Sequence, residues 1–307
     1  MRSFASVLLI VTLSLILAAL LAYPAWELIG LAWEQPIHRV MHRIAMLASV
    51  LGFVWLFRRW KIFHRHALGF GLPRAAFWRQ LAAGVAAGAL LILPLIGALY
   101  ALEIRAPRAG LDLTLAPVIK LVSIGLVTGL VVAMIEEVFF RGLLFTAVRR
   151  ESGTAYAVVL PSLLYAALHF LGGRLQVPAE QIEWSSGLAV LGTMFAKYAH
   201  PAAIADSFLA LFAVGVLLSL VRIRTRGIAA CIGLHAAWVC IIAVVRDTTI
   251  LQDRPASWLV GAYDGVLGWG ALAWMTWMAM MTIAYLTLSR DARLGSSESL
   301  GGGGQRA

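Results

Sequence analysis

Apolar residues run along this chain in long blocks separated by short polar connections. The blocks cover roughly 4–23, 39–57, 79–102, 115–148, 154–171, 202–221, 227–245 and 256–288. An α-helix needs ~20 apolar residues to span a bilayer. The pattern therefore predicts an all-α, polytopic membrane protein of about eight transmembrane helices. The fourth and eighth blocks exceed that length, so they are expected to tilt or to extend into water. The stretch from Trp184 to Ala199 is broken by Gly187, Gly192 and Lys197 and reads as re-entrant or interfacial. Trp60 to Gln80 mixes Lys61, Arg65, Arg74 and Arg79 with Trp60, Phe63, Phe70 and Phe77. That mixture predicts an amphipathic segment on the cytoplasmic leaflet. The first block follows Met1-Arg2, and its Ala18, Ala19 and Ala22 have the small side chains of a signal-peptide cleavage region. Its length favours a retained first helix. One integral membrane domain is expected over 1–290, with a chemistry-bearing core at about 115–246. A flexible cytoplasmic tail is expected over 291–307, where Ser296-Ser297 and Gly301 to Gly304 fall.

Composition sharpens the class. The chain is 61% hydrophobic and 13% charged, with a mean hydropathy of +0.87. Soluble domains are nearer half apolar and a quarter charged. The net charge of +10 does not mark a nucleic-acid face, because the basic residues sit in short clusters between apolar blocks; no nucleic-acid partner is expected. With the N-terminus inside, the inner connections hold fifteen Lys and Arg and the outer ones eight. The positive-inside rule then puts both termini in the cytoplasm, with the protein in the cell (inner) membrane. Cys231 and Cys240 lie in one apolar block without metal-finger spacing and read as packing residues.

Three charges interrupt the fourth block, in Ile135-Glu136-Glu137-Val138-Phe139-Phe140-Arg141-Gly142. Charge at membrane depth costs a few kcal/mol and usually faces a partner inside the bundle. Glu137 and Arg141 are i and i+4 and can pair. Glu136, about 100° round the helix, is free to point elsewhere. Two histidines, His169 and His235, also lie within apolar blocks. At ~1.5 Å rise per residue, Glu136 is roughly 18 Å from Val148, His169 roughly 22 Å from Thr154 and His235 roughly 12 Å from Gly227, one broad layer near mid-bilayer. A carboxylate and two imidazoles at one level suit general-base hydrolysis with oxyanion stabilisation. The same trio suits zinc binding or a proton relay in a transporter.

Glu136-Glu137-x-x-x-Arg141, then Tyr165-x-x-x-His169, then His235 within Leu234-His235-Ala236-Ala237-Trp238 resemble three motifs of one family. It is the CPBP family of CAAX proteases and bacteriocin-processing enzymes, also called the Abi family of glutamic intramembrane proteases. The resemblance implies an eight-span helical core with a cavity open toward the cytoplasmic leaflet. It implies Glu136 as the base that activates water, His169 as its assistant and His235 at the oxyanion. Glu137 and Arg141 would be structural or orienting. Tyr165 stands where the family has Phe, and Val239 stands where the third motif ends in Asn or Asp; the chain has no Asn at all. Tyr165 is then the nearest candidate for the missing oxyanion donor. The expected function is an intramembrane endopeptidase acting on a membrane-associated peptide or protein, with the lipid bilayer as its other partner. No cofactor is required, and zinc held by Glu136, His169 and His235 is the second option. A catalytically impaired scaffold of the same fold and a proton-coupled transporter are the alternatives.

Overall fold

The computed structural model describes residues 1–301 except 32, 34, 112 and 113, with side chains described as far as Leu288. Its long helices are α1 (Arg2–Gly30), α2 (Ile37–Arg59), α3 (Arg74–Ala101), α4 (Leu115–Glu137), α8 (Ala205–Thr225), α9 (Ala229–Thr248) and α10 (Trp269–Gly301). Between α4 and α8 lie a π-helical stretch (Val138–Leu144), α5 (Phe145–Ser152), α6 (Thr154–Phe170) and the short α7 (Ser186–Met194). Among the described residues, seven helices are long and apolar enough to cross a membrane, the fourth of them running from Leu115 to Ser152. α6 is apolar too but only 17 residues long. The protein is thus an all-α integral membrane protein, as its apolar blocks predict. The side chains left outward are those of a lipid-facing surface: Leu9, Leu13, Met46, Leu47, Ile119, Val127, Ile135 and Met280 are all exposed. In lipid such residues need no protein cover, and intrahelical bonds satisfy the backbone.

α9 is the centre of the bundle, packed between α3 and α4. Small residues let the backbones meet. A Cβ added at Gly84 or Gly88 of α3 would come within 2.4 Å of the Ala230 carbonyl oxygen or 2.8 Å of that of Leu234. On the other side, Gly129 of α4 packs on Ala236, where a Cβ would lie 2.5 Å from its carbonyl oxygen. Both pairs, Gly84/Gly88 and Gly125/Gly129, have the four-residue spacing of close-packed membrane helices. The Trp238 indole N–H donates to the Gly88 carbonyl (3.0 Å) and fixes α9 against α3. Outside this centre α8 packs on α6 and α10, and α1 on α2 and α7. Ala18, Ala19 and Ala22, the cleavage-like residues of the first block, are buried in the α1–α2–α7 cluster.

One local reading is corrected, and three other stretches gain detail. The eighth helix begins at Trp269, not near 256. The intervening stretch carries Pro255, Gly261, Gly265 and Gly268, and Asp264 Oδ1 accepts from the Val266 and Leu267 amides, a turn that competes with helix. A two-stranded antiparallel pair, β1 (Arg105–Pro107) with β2 (Thr249–Leu251), joins two connections between apolar blocks. The stretch from Trp60 to Pro73, expected as an amphipathic segment, is formed of turns and bends; Ile62 and Ala67 are buried in it, and it packs on the π-helical stretch where Gly142 meets the Leu68 carbonyl. Finally, α10 continues through Gly301. Ala292, Arg293, Leu294 and Leu300 are compatible with helix. Residues 302–307 lie outside the described residues.

Candidate active site

Glu136 and Glu137 are the last two residues of α4, and the backbone then widens into the π-helical stretch. Such insertions recur at functional sites because they re-aim side chains that a regular helix would stack. Glu137 is fully buried, and one oxygen serves two partners. Its Oε1 accepts from Arg141 Nη1 at 3.0 Å and from His235 Nδ1 at 2.9 Å. Arg141, 1% exposed, also donates to the Gly215 carbonyl of α8 and stacks over the Tyr165 ring at 4.7 Å. The Glu137–Arg141 pair therefore ties α4, α8 and α9 together at one level. Glu137 Oε2 and Arg141 Nε are nevertheless buried without a hydrogen-bond partner among the described residues, so part of the pair's desolvation stays uncompensated.

His235 is oriented by this arrangement. A carboxylate only accepts, so Nδ1 carries the proton given to Glu137. Nε2 is left on the other edge of the ring, 3.8 Å from Glu136 Oε2. Glu136 is partly exposed, at 26%, yet its Oε2 is buried without a hydrogen-bond partner among the described residues. Buried acceptors are seldom left so, and each one asks for an explanation. His169 lies near the end of α6, where its Nδ1 donates to the Tyr165 carbonyl at 2.7 Å. Its Nε2 is the unprotonated nitrogen. The rings of Tyr165 and His169 are 4.4 Å apart, and those of Tyr165 and His235 6.2 Å.

All of these groups except Glu137 and Arg141 line one cavity of about 520 Å³. Glu136, Tyr165, His169, His235 and Val239 share it with Val132, Trp238, Arg246, Tyr263 and Asp264. A larger cavity, about 1160 Å³, lies between the ends of α1 and α2 and residues 176–182, with Glu27 as the one titratable group among its described lining residues. The smaller cavity is where the chemistry converges.

Tyr263 and Asp264 are absent from the sequence reading because they lie where the pattern predicted the start of a span. The Tyr263 ring packs against His169 (6.2 Å) and Phe170 (5.3 Å). Burial, with Asp264 and Glu136 nearby, pushes its phenol above the ordinary value, so it stays a hydroxyl donor. The hydroxyls of Tyr165 and Tyr263 have no hydrogen-bond partner among the described residues. Among the described residues no group of three or more His, Cys, Asp or Glu is arranged to hold a metal ion. Glu136, His169 and His235 share the cavity without forming a ligand set.

Residues 118–241 match the family model of the Rce1-like type II CAAX prenyl endopeptidases. The match runs from α4 into α9 and takes in Glu136, Glu137, Arg141, Tyr165, His169 and His235; it stops before Arg246 and the Tyr263 loop. Neither a search of the curated proteins nor one of the solved structures finds a match.

Proposed function

On the premise that residues 118–241 are an Rce1-like region of the CAAX protease family, we propose that this chain is an intramembrane endopeptidase that hydrolyses a membrane-associated peptide or protein through Glu136. The carrying observation is the buried, unpartnered Glu136 Oε2 beside His235 Nε2 on a cavity wall. In this reading Glu136 takes a proton from a water molecule. The resulting hydroxide attacks the scissile carbonyl, and the His169 Nε2 lone pair orients that water. His235, held through Nδ1 by Glu137, is the oxyanion donor in this reading, through the Nε2–H that its imidazolium form carries. Glu136 then returns its proton to the leaving amine as the C–N bond breaks. No metal is assigned a role.

The proposed setting is the cell (inner) membrane with both termini cytoplasmic, supported by the fifteen-to-eight bias of Lys and Arg. The test compares membrane proteomes of cells carrying the wild type or Glu136→Gln. A set of peptides cut only by the wild type is expected, and the same set in membranes incubated with a chelator. Identical proteomes would overturn the protease reading in favour of a scaffold, and a set lost on chelation would reinstate zinc.

A further inference from the structure

A second cavity, about 640 Å³ in volume, lies apart from Glu136 and its partners. It is lined by Lys61, His64 and His66 from the turns after α2, by Arg149 and Arg150 of α5, and by Arg222 of α8. Four of these side chains are cations, and no carboxylate lines the cavity among the described residues. The sequence supplies none nearby. Neither residues 35–102, which carry Lys61, nor residues 207–246, which carry Arg222, contain an Asp or a Glu. Glu151 follows Arg150, but its two oxygens accept from the backbone amides of Arg2 and Ser3 (2.6 and 2.8 Å). None of the four cations has an ion-pair partner among the described residues.

Like charges that converge on one cavity repel, and long side chains free to do so spread apart. Here the surroundings tie them in place. Arg222 donates from Nε to the Arg141 carbonyl (3.2 Å), while its two Nη groups have no partner among the described residues. The Thr146 hydroxyl donates to the Ala67 carbonyl (3.1 Å), which joins α5 to the turns that carry Lys61. Lys61 itself stands in the left-handed position just past α2 (φ 55), a place that helix ends usually give to glycine. A held group of donors without an acceptor is the complement of an anion. Arg forks bind phosphate oxygens in pairs, and Lys adds a point charge. The depth fits as well. α2, α5 and α8 end beside the cavity, at Arg59, Ser152 and Thr225, and apolar helices end at the level of the lipid headgroups.

We infer that this cavity binds a phosphate-bearing anion, the headgroup of an anionic phospholipid or a free phosphate. One phosphate group offers several oxygens for the cations to share, which a single carboxylate does not. A choline headgroup is rejected, because its ammonium brings a further positive charge among the four. An occupant that fixes Arg222 also braces Arg141, whose side chain holds Glu137, so binding stabilises the fold.

The full chain, purified in a neutral maltoside detergent, provides the test, with lipid retention read by native mass spectrometry and unfolding by temperature. Dioleoyl phosphatidylglycerol is expected to be retained about tenfold more tightly than dioleoyl phosphatidylcholine and to raise the unfolding temperature. That preference is expected to be lost in Arg149→Gln with Arg150→Gln, and to weaken in Lys61→Gly, where glycine suits the backbone. Arg59→Gln with Arg65→Gln removes the same charge from exposed residues outside the cavity and is expected to keep the preference. Sodium phosphate, compared with sodium chloride at equal ionic strength, separates the two sources. Stabilisation by the lipid alone assigns the headgroup, and stabilisation by phosphate with displacement of the lipid assigns a free phosphate. Equal losses in the two double variants would overturn the site in favour of diffuse surface charge. So would a wild type that neither prefers phosphatidylglycerol nor responds to phosphate.

Discussion

Glu137 does more than the pairing that its i, i+4 spacing with Arg141 suggested. One of its oxygens holds both Arg141 and His235, so the carboxylate with no cavity exposure fixes the orientation of the imidazole that has it. Glu137→Gln keeps the shape but leaves a buried guanidinium without a counter-charge. Removing one partner of a buried pair costs about 3–5 kcal/mol. A large fall in unfolding temperature in detergent is expected, and Glu137→Gln with Arg141→Met is expected to recover part of it. If Glu137→Gln alone unfolds like the wild type, the pair is not structural. The second residue-level prediction concerns the oxyanion. Val239 lines the cavity and offers no donor, whereas the Tyr165 hydroxyl reaches that cavity from beneath Arg141. Tyr165→Phe is expected to lower kcat about tenfold or more with KM little changed, and Val239→Asn to raise it. Equal kinetics in Tyr165→Phe would pass the donor's role to Tyr263 or leave it to His235. Five of the six residues picked from sequence stood out because charge and imidazole are conspicuous in apolar helices, and Tyr165 came only from the motif resemblance. Tyr263 did not stand out, since a tyrosine and an aspartate beside a long apolar run carry no such signal.

At the scale of elements, the helices were legible and their order of packing was not. Apolar length marks a span whatever its neighbours are, but the central place of α9 is decided by which helices can approach it closely. The signal was present in Gly84/Gly88 and Gly125/Gly129, whose spacing lets two helices meet α9 at backbone distance. The π-helical stretch was illegible for a different reason. Apart from Arg141, Val138–Leu144 has the pattern of regular helix, and its widening goes with the approach of the Leu68 backbone at Gly142, a tertiary contact. The α4–α9 contact is the one the site depends on, because Glu136 and Glu137 ride on α4 and His235 on α9. Gly129→Ala puts a methyl 2.5 Å from the Ala236 carbonyl oxygen, next to His235, and must push the helices apart. Overpacking of this kind costs about 1–3 kcal/mol. Lower thermal stability and lower turnover are expected together. Gly97→Ala, which has open space for its methyl, serves as the control. If the two variants behave alike in unfolding and peptide-cleavage assays, close α4–α9 contact is not what holds the site.

For the whole molecule, the site is a joint product of the family-like core and a flap from outside it. The core supplies Glu136, His169 and His235. The connection from Thr249 to Gly268, beyond the family match, supplies Tyr263 and Asp264 and closes one wall of the cavity. What holds that connection comes from far away in the chain. Arg105, in the connection between α3 and α4, is buried, and it donates to the Gly265 carbonyl (3.1 Å), the Asp264 carbonyl (3.3 Å) and the Thr249 hydroxyl (2.6 Å). The β1–β2 pairing sets it there, with Arg105 opposite Leu251. Hydrogen bonds to a charged group contribute about 1.5–3 kcal/mol each. Arg105→Ala is therefore expected to loosen the flap while sparing the helices. Hydrogen–deuterium exchange should show it at the Val266 and Leu267 amides, which the Asp264 turn now protects. Their protection is expected to fall about ten- to a hundredfold, with α9 amides around His235 unchanged. KM should rise with kcat retained, since the wall that touches substrate moves and the Glu136–His235 geometry does not. Faster exchange along α9 as well would mean that Arg105 supports the bundle as a whole, and unchanged exchange at Val266 and Leu267 would mean that it does not hold the flap.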